Sequence, residues 1–119
     1  MSEEDKQEAT MNKKTVAIDF DGVIHKYSEG WKDGEIYDEP VEGSFEAIHE
    51  LYVRGYSVAI FSTREPEDMR EWFGKWHRKK FPKREIVSPN FTKEKPPAIA
   101  YIDDRGIRFT NWTDILNYF

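Results

Sequence analysis

The sequence predicts an α/β fold: a mostly parallel, five-stranded sheet with helices on both faces, built as one domain. Two observations predict it. Short apolar, β-prone runs alternate with stretches of helical periodicity, which is the pattern of parallel strands joined by crossover helices. Three of the runs also end in polar residues, as strands do where they deliver side chains to a ligand crevice. The first strand is Val16-Ala17-Ile18, with folding beginning near Thr15. A helix fits Ser44 to Arg54, with Phe45, Ile48, Leu51 and Tyr52 on one stripe and Gly55 as terminator. It returns the chain to a second strand, Tyr56 to Phe61. The next helix fits Pro66 to about Lys80. Proline stands near its first turn, and Met69, Trp72, Phe73 and Trp76 recur at helical spacing as a core stripe. Glu85-Ile86-Val87 reads as a third strand, Ala98 to Ile102 as a fourth and Ile107-Arg108-Phe109 as a fifth. A last helix takes Asn111 as N-cap and carries Trp112, Ile115, Leu116 and Phe119.

Composition narrows the classes. A chain of 119 residues supports a single core, and 15% aromatic content gives that core volume. Residues 1–14 are charged and lack apolar periodicity, which predicts a disordered leader. No apolar stretch is long enough to span a bilayer and no signal peptide is visible, so a soluble protein is expected. The absence of cysteine excludes disulfides and thiol catalysis, and is compatible with a cytoplasmic location. A formal net charge of -5 argues against nucleic-acid binding through general electrostatics.

The chemistry concentrates at the strand ends. Asp19-Phe20-Asp21-Gly22-Val23 puts two carboxylates at the exit of the first strand, where the turn at Gly22 lets them converge. Two such charges about 4 Å apart repel by roughly 4 kcal/mol at an effective dielectric of about 20, a cost offset by a cation or a shared proton. The pair is therefore a candidate for Mg²⁺ binding, acid–base work, or both. Read alone it is as readily a solvated acidic turn. The second strand ends in Ser62-Thr63-Arg64 and the fourth in Asp103-Asp104-Arg105, while Lys95 precedes the fourth and is followed by Pro96-Pro97.

Together these residues resemble the four ordered motifs of the haloacid dehalogenase (HAD) superfamily. Asp19-x-Asp21-x-Val23 looks like the first motif, Ser62 the second, Lys95 the third and Asp103-Asp104 the fourth, over a span from about Thr15 to Asp104. The resemblance implies a Rossmann-like core with the Asp19 strand central. It also implies a Mg²⁺-dependent phosphatase that hydrolyses a phosphate monoester through an aspartyl-phosphate. In that reading Asp19 is the nucleophile and a metal ligand. Asp21 contributes its backbone carbonyl to the metal and acts as general acid and base, for which it needs a raised pKa, expected from burial and neighbouring carboxylates. Ser62 and the Thr63 N–H would bind phosphoryl oxygens, and Lys95 would supply compensating charge, with Lys93 the competing candidate. Asp104 is favoured over Asp103 as the remaining metal ligand. Arg64 and Arg105 flank the site, to contact substrate or to form surface ion pairs. Having Asp21, the chain is equipped for phosphatase rather than dehalogenase chemistry.

The segment His25 to Pro40 is a long connection without helical periodicity, too short for a helical cap domain. Its Tyr27 and Trp31 either form a flap over the site or pack the loop on the body. An open or flap-covered site suits a macromolecular, bulky or nucleotide-related phosphorylated substrate, or a partner subunit. The basic cluster Lys75, His77, Arg78, Lys79, Lys80, Lys83 and Arg84 invites a nucleic-acid reading, but its place at a helix C-terminus favours dipole compensation. His49 reads as a surface or boundary residue. Two alternatives differ in class. One is a phospho-acceptor signalling module of the receiver type, in which acidic residues also gather around Mg²⁺ but in another chain order. The other is a binding-only member of the superfamily.

Overall fold

The computed structural model describes residues 14–85, 88–103 and 106–119. Four strands form one sheet: β1 (Thr15–Asp19), β2 (Ser57–Phe61), β3 (Asn90–Thr92) and β4 (Ala100–Ile102). They lie in the order β3-β2-β1-β4, and every pairing is parallel. Three helices accompany them: α1 (Ser44–Val53), α2 (Pro66–Lys80) and α3 (Trp112–Leu116). β1 is central, and its Val16, Ala17 and Ile18 are fully buried, as an interior parallel strand covered on both faces requires.

Side chains alternate across a strand, so Val16, Ile18, Val58, Ile60 and Ile102 share one face, and they belong to one core cluster with residues of all three helices. Phe45 of α1 stacks on Phe73 of α2, with ring centroids 4.4 Å apart. α3 joins the same layer, because Arg54 at the end of α1 donates through Nη1 to the Leu116 carbonyl at 3.0 Å. Among the described residues the helices therefore occupy one face of the sheet, not both as expected. The cause is topological. The steps β1-α1-β2 and β2-α2-β3 run in the same direction, and right-handed crossovers then put both helices on the same side. The return from β3 to β4 passes through residues 93–99, too few for a crossover helix. That return segment covers the opposite face instead: the Lys95 ammonium lies 4.4 Å from the Tyr101 ring centroid and 5.7 Å from that of Phe61. The Tyr101 hydroxyl donates to the Pro96 carbonyl at 2.7 Å.

The strand expected at Glu85-Ile86-Val87 lies, apart from Glu85, outside the described residues, and the third described strand is Asn90–Thr92. The fifth strand expected at Ile107-Arg108-Phe109 is not formed. Ile107 makes a single parallel bridge to Ile102, its N–H donating to the Tyr101 carbonyl at 2.7 Å, and the chain then leaves the sheet. Ile107 and Phe109 still pack against the core, which is why their alternation resembles a strand.

The helices follow their sequence signals. α2 starts with Pro66 at its first turn beside Glu67 and Asp68, and ends in a basic turn, so charge at both ends complements the helix dipole. Its buried stripe is Met69, Trp72, Phe73 and His77, while Trp76 is only partly buried. His77 thus leaves the basic cluster for the interior, where its Nε2 lies 2.9 Å from that of His49 at the α1–α2 boundary. Asn111 caps α3 by accepting the Asp114 N–H at 2.9 Å. Among the described residues no helix is long and apolar enough to cross a membrane.

Candidate active site

The order in which strands are added to the sheet reverses between β1 and β4: β2 and β3 lie to one side of β1, and β4 lies to the other. The crevice at such a switch, outside the carboxyl ends of the strands, is where open α/β sheets bind ligands. β1 and β4 pair with Ile18 opposite Ile102, so the next residues outward, Asp19 and Asp103, leave adjacent strands side by side. On the other flank Asp19 is opposite Phe61, which makes Ser62 the first residue beyond β2.

Past Asp19 the chain wraps around one carbonyl. The N–H groups of Val23, Ile24 and His25 all point to the Phe20 carbonyl, at 3.3, 2.9 and 3.0 Å, and the buried Phe20 ring anchors the turn in the core. Gly22 has φ of 84°, a left-handed conformation that glycine adopts without strain, and its N–H donates to the His25 carbonyl at 2.7 Å. Among the described residues, none of the turn's backbone hydrogen bonds ends on the Asp21 carbonyl.

The Asp21 carboxylate is gripped from two sides. Arg64 Nε donates to both of its oxygens, at 3.1 and 2.9 Å, and His25 Nδ1 lies 2.9 Å from Oδ1. The Asp38 N–H donates to His25 Nε2 at 3.0 Å. Since Nε2 accepts, the proton of the neutral ring sits on Nδ1 and is donated to Asp21. Burial pushes the Asp21 pKa upward, but the hydrogen bonds from His25 and Arg64 and the charge of Arg64 outweigh it, and the net shift is downward. This corrects the expectation of a raised pKa. The neighbours that dominate are hydrogen-bond donors and a cation, not carboxylates, so the group is held as the anion.

Arg64, which could have been a surface ion pair, is buried; its side chain is 2% exposed. Nη1 donates to the Gly34 carbonyl at 2.8 Å, and Nη2 is buried without a hydrogen-bond partner among the described residues. Ser62 donates its N–H to the Thr92 carbonyl and accepts the Arg64 N–H on Oγ at 3.2 Å, which leaves the hydroxyl proton to donate elsewhere. Thr63 is exposed at the same strand exit. The two lysine candidates separate clearly. Lys93 pairs with Glu65 at the start of α2, whereas Lys95 Nζ donates to Asp103 Oδ2 at 2.7 Å. Asp103 is nearly buried, and its Oδ1 accepts the Gly106 N–H at 2.7 Å. A Cβ on Gly106 would stand 2.2 Å from the Tyr101 carbonyl oxygen, so only glycine fits that turn. Asp104 and Arg105 lie outside the described residues.

The segment from His25 to Pro40 is a closed, cross-linked loop. Its ends meet through the His25–Pro40 bridge, and the Val41 N–H donates to the Ile24 carbonyl at 2.8 Å. Inside it the Tyr37 hydroxyl donates to the Gly30 carbonyl at 2.8 Å and accepts the Glu29 N–H at 2.9 Å. Tyr27 and Asp33 take positive φ, 56° and 51°, which costs of order 1 kcal/mol each and is tolerated because the loop is tied on every side. Tyr27 and Trp31 flank the Arg64 guanidinium, at 5.8 and 4.9 Å from its Cζ to their ring centroids. The loop is thus fastened to the site's own arginine. By contrast, the basic cluster at the end of α2 is a 15-residue helix, about 22 Å, away from the β2 exit.

His25 is the site residue that sequence reasoning passed over. Its signal in the sequence is an imidazole four residues beyond Asp21. The donor set is chemically suited to a small hard cation. Asp19 and Asp103 supply carboxylate oxygens from neighbouring strands, and the Asp21 carbonyl is a further hard donor. Among the described residues no three His, Cys, Asp or Glu side chains lie close enough to hold a metal ion. The remaining expected carboxylate, Asp104, falls outside them. No family model, no curated protein and no solved structure matches this chain.

Proposed function

We propose that the protein is a Mg²⁺-dependent phosphatase of the HAD type, hydrolysing a phosphate monoester through an aspartyl-phosphate on Asp19. The observation that carries this reading is the register of β1 against β4. It brings Asp19 and Asp103 out together at the topological switch, with Lys95 on Asp103 and Ser62 on the opposite flank. Asp19, the Asp21 carbonyl and Asp103 with Asp104 would hold the ion, which when bound offsets the repulsion between anionic substrate and anionic nucleophile.

Asp19 attacks phosphorus while the Ser62 hydroxyl and Thr63 N–H hold phosphoryl oxygens and Lys95 balances the charge. Once substrate is bound, Asp21 takes up a proton from solvent and gives it to the leaving oxygen, and then takes one from the water that cleaves the acyl phosphate. A phosphoryl dianion beside Asp21 raises the affinity of this carboxylate for a proton, and draws on the same Arg64 that holds it as an anion at rest. The test is turnover of an aryl phosphate with and without Mg²⁺. Wild type releases phosphate over many cycles, and Asp19→Asn falls to background while keeping its circular dichroism spectrum. Full activity in Asp19→Asn would refute the assignment.

One observation favours a second reading, a phospho-acceptor or phosphate-binding module: Asp21 is clamped as an anion, which suits a site that does not need an acid. Such a module takes up label from a small phosphodonor once per chain and does not turn over.

A further inference from the structure

We infer that His25 is a positioning residue for proton transfer: it occupies Oδ1 of Asp21, so that Oδ2 is the oxygen that carries the proton to the leaving group. The inference rests on the phosphatase reading and adds to it the atom that acts and the residue that selects it. A carboxylate oxygen has two lone pairs in which to accept hydrogen bonds. Oδ1 accepts from His25 Nδ1 at 2.9 Å and from Arg64 Nε at 3.1 Å, so both of its lone pairs are taken. Among the described residues Oδ2 accepts from Arg64 Nε alone, at 2.9 Å, and keeps one lone pair open. Arg64 shares a single N–H between the two oxygens and does not distinguish them. His25 does. The Asp21 side chain is 21% exposed, so a substrate oxygen has access to the carboxylate.

The imidazole is itself held so that it can only donate to Asp21. The Asp38 N–H, a group that cannot accept, lies 3.0 Å from Nε2 and keeps the ring proton on Nδ1. Asp38 is fastened in turn: Trp72 Nε1 donates to its carbonyl at 3.0 Å, and its carboxylate accepts the N–H and the hydroxyl of Ser28. The His25 ring is fully buried. It stacks on Phe20, with centroids 5.5 Å apart, and meets Tyr37 and Trp72 edge-on at 5.3 and 5.6 Å. A ring enclosed by three others and bonded at both nitrogens presents Nδ1 in one direction, the support that a group in proton transfer needs. As the P–O bond breaks, its electron pair stays on the leaving oxygen, which takes the proton from Oδ2. Asp21 then returns to the anion that His25 and Arg64 already hold.

The experiment compares kcat/KM for glycerol phosphate and for 4-nitrophenyl phosphate, with Mg²⁺, in wild type, His25→Phe and His25→Asn. An alkoxide needs a proton to leave, whereas nitrophenolate is a stable anion and departs without one. The ratio of the two constants therefore reads proton delivery, and damage to the site in general lowers both alike. His25→Phe keeps a ring among its aromatic neighbours and removes the donor. It is expected to lower the glycerol-to-nitrophenyl ratio about tenfold, part of the roughly hundredfold or more that a general acid contributes. His25→Asn, whose amide N–H can take the place of Nδ1–H, is expected to keep most of the ratio. A ratio unchanged in His25→Phe, or an asparagine variant that loses as much as the phenylalanine one, overturns this inference and leaves the phosphatase reading standing. No turnover of either ester by wild type overturns both. Nitrogen-15 NMR of the wild-type imidazole reads the same contact without a variant and without turnover: a neutral ring protonated on Nδ1 is expected, and a ring protonated on Nε2 overturns the inference.

Discussion

Asp21 and Arg64 are 43 residues apart, and the arginine Nε donates to both carboxylate oxygens. Removing the arginine leaves a half-buried carboxylate with only His25 to compensate it. Breaking a buried pair in this way costs about 3 kcal/mol, and Arg64→Met is expected to lower the urea midpoint accordingly, discounted for the part of Asp21 that water reaches. The pH signature has a definite sign. The Asp21 pKa is lowered on folding, by hydrogen bonds and charge that exceed the opposing effect of burial, from an ordinary value of 3.8. Its contribution to stability is therefore complete above that value and is lost as pH falls through the lower, folded value. Arg64→Met should flatten this acid limb of the stability curve. An unaltered limb would show that the clamp does not hold the anion.

At the scale of elements, the α1–α2 contact contains a titratable pair. His49 and His77 meet Nε2 to Nε2 at 2.9 Å, ringed by Phe45, Phe73 and Phe81, and His77 Nδ1 is buried without a partner among the described residues. Burial lowers both pKa values below 6.5, and the charge of Arg84 acts in the same sense, with Glu46 opposing it at His49. The unfolded chain then binds more protons than the native one, so stability from this contact is full above about pH 6.5 and declines as pH falls below it. Urea unfolding at pH 8 and pH 5 measures the decline. His77→Phe, which packs a ring of similar size among the three phenylalanines, is expected to reduce it and to gain about 1 kcal/mol at pH 5 by removing an unsatisfied polar atom.

For the molecule as a whole, a cation bound to the native state alone shifts the folding equilibrium. At about 100 times its dissociation constant, Mg²⁺ would stabilise the fold by about 2.7 kcal/mol. Thermal unfolding with and without Mg²⁺ should show a rise in Tm for wild type and none for Asp19→Asn. An equal rise in both proteins would place the cation elsewhere. The core around Ile18, Phe20, Phe45, Leu51 and Ile60 is fully buried and apolar, so the fold draws its main stabilisation from hydrophobic packing away from the strand exits. The effect is thus one of ligand linkage on a formed fold.

Periodicity was enough to locate β1, β2, α1 and α2 within a residue or two and the start of α3, which ends at Leu116, short of Phe119, because burial of every third or fourth side chain, or of a continuous run, is a local property of the chain. Short-range chemistry was equally readable: the acidic pair at Asp19 and Asp21, the proline at the start of α2, the cap at Asn111. What sequence could not supply depends on partners far along the chain. The helices share one face because of the direction of successive crossovers. Ile107 and Phe109 alternate like a strand yet serve the core from a coil. Lys95 rather than Lys93 reaches the acidic cluster, and Arg64 turns inward to Asp21 instead of out to water. Each of these outcomes is a choice between equally acceptable local conformations. Contacts formed across tens of residues make that choice, so the candidate residues at the strand ends could be named from the chain while the hydrogen bonds among the described ones emerged only on folding.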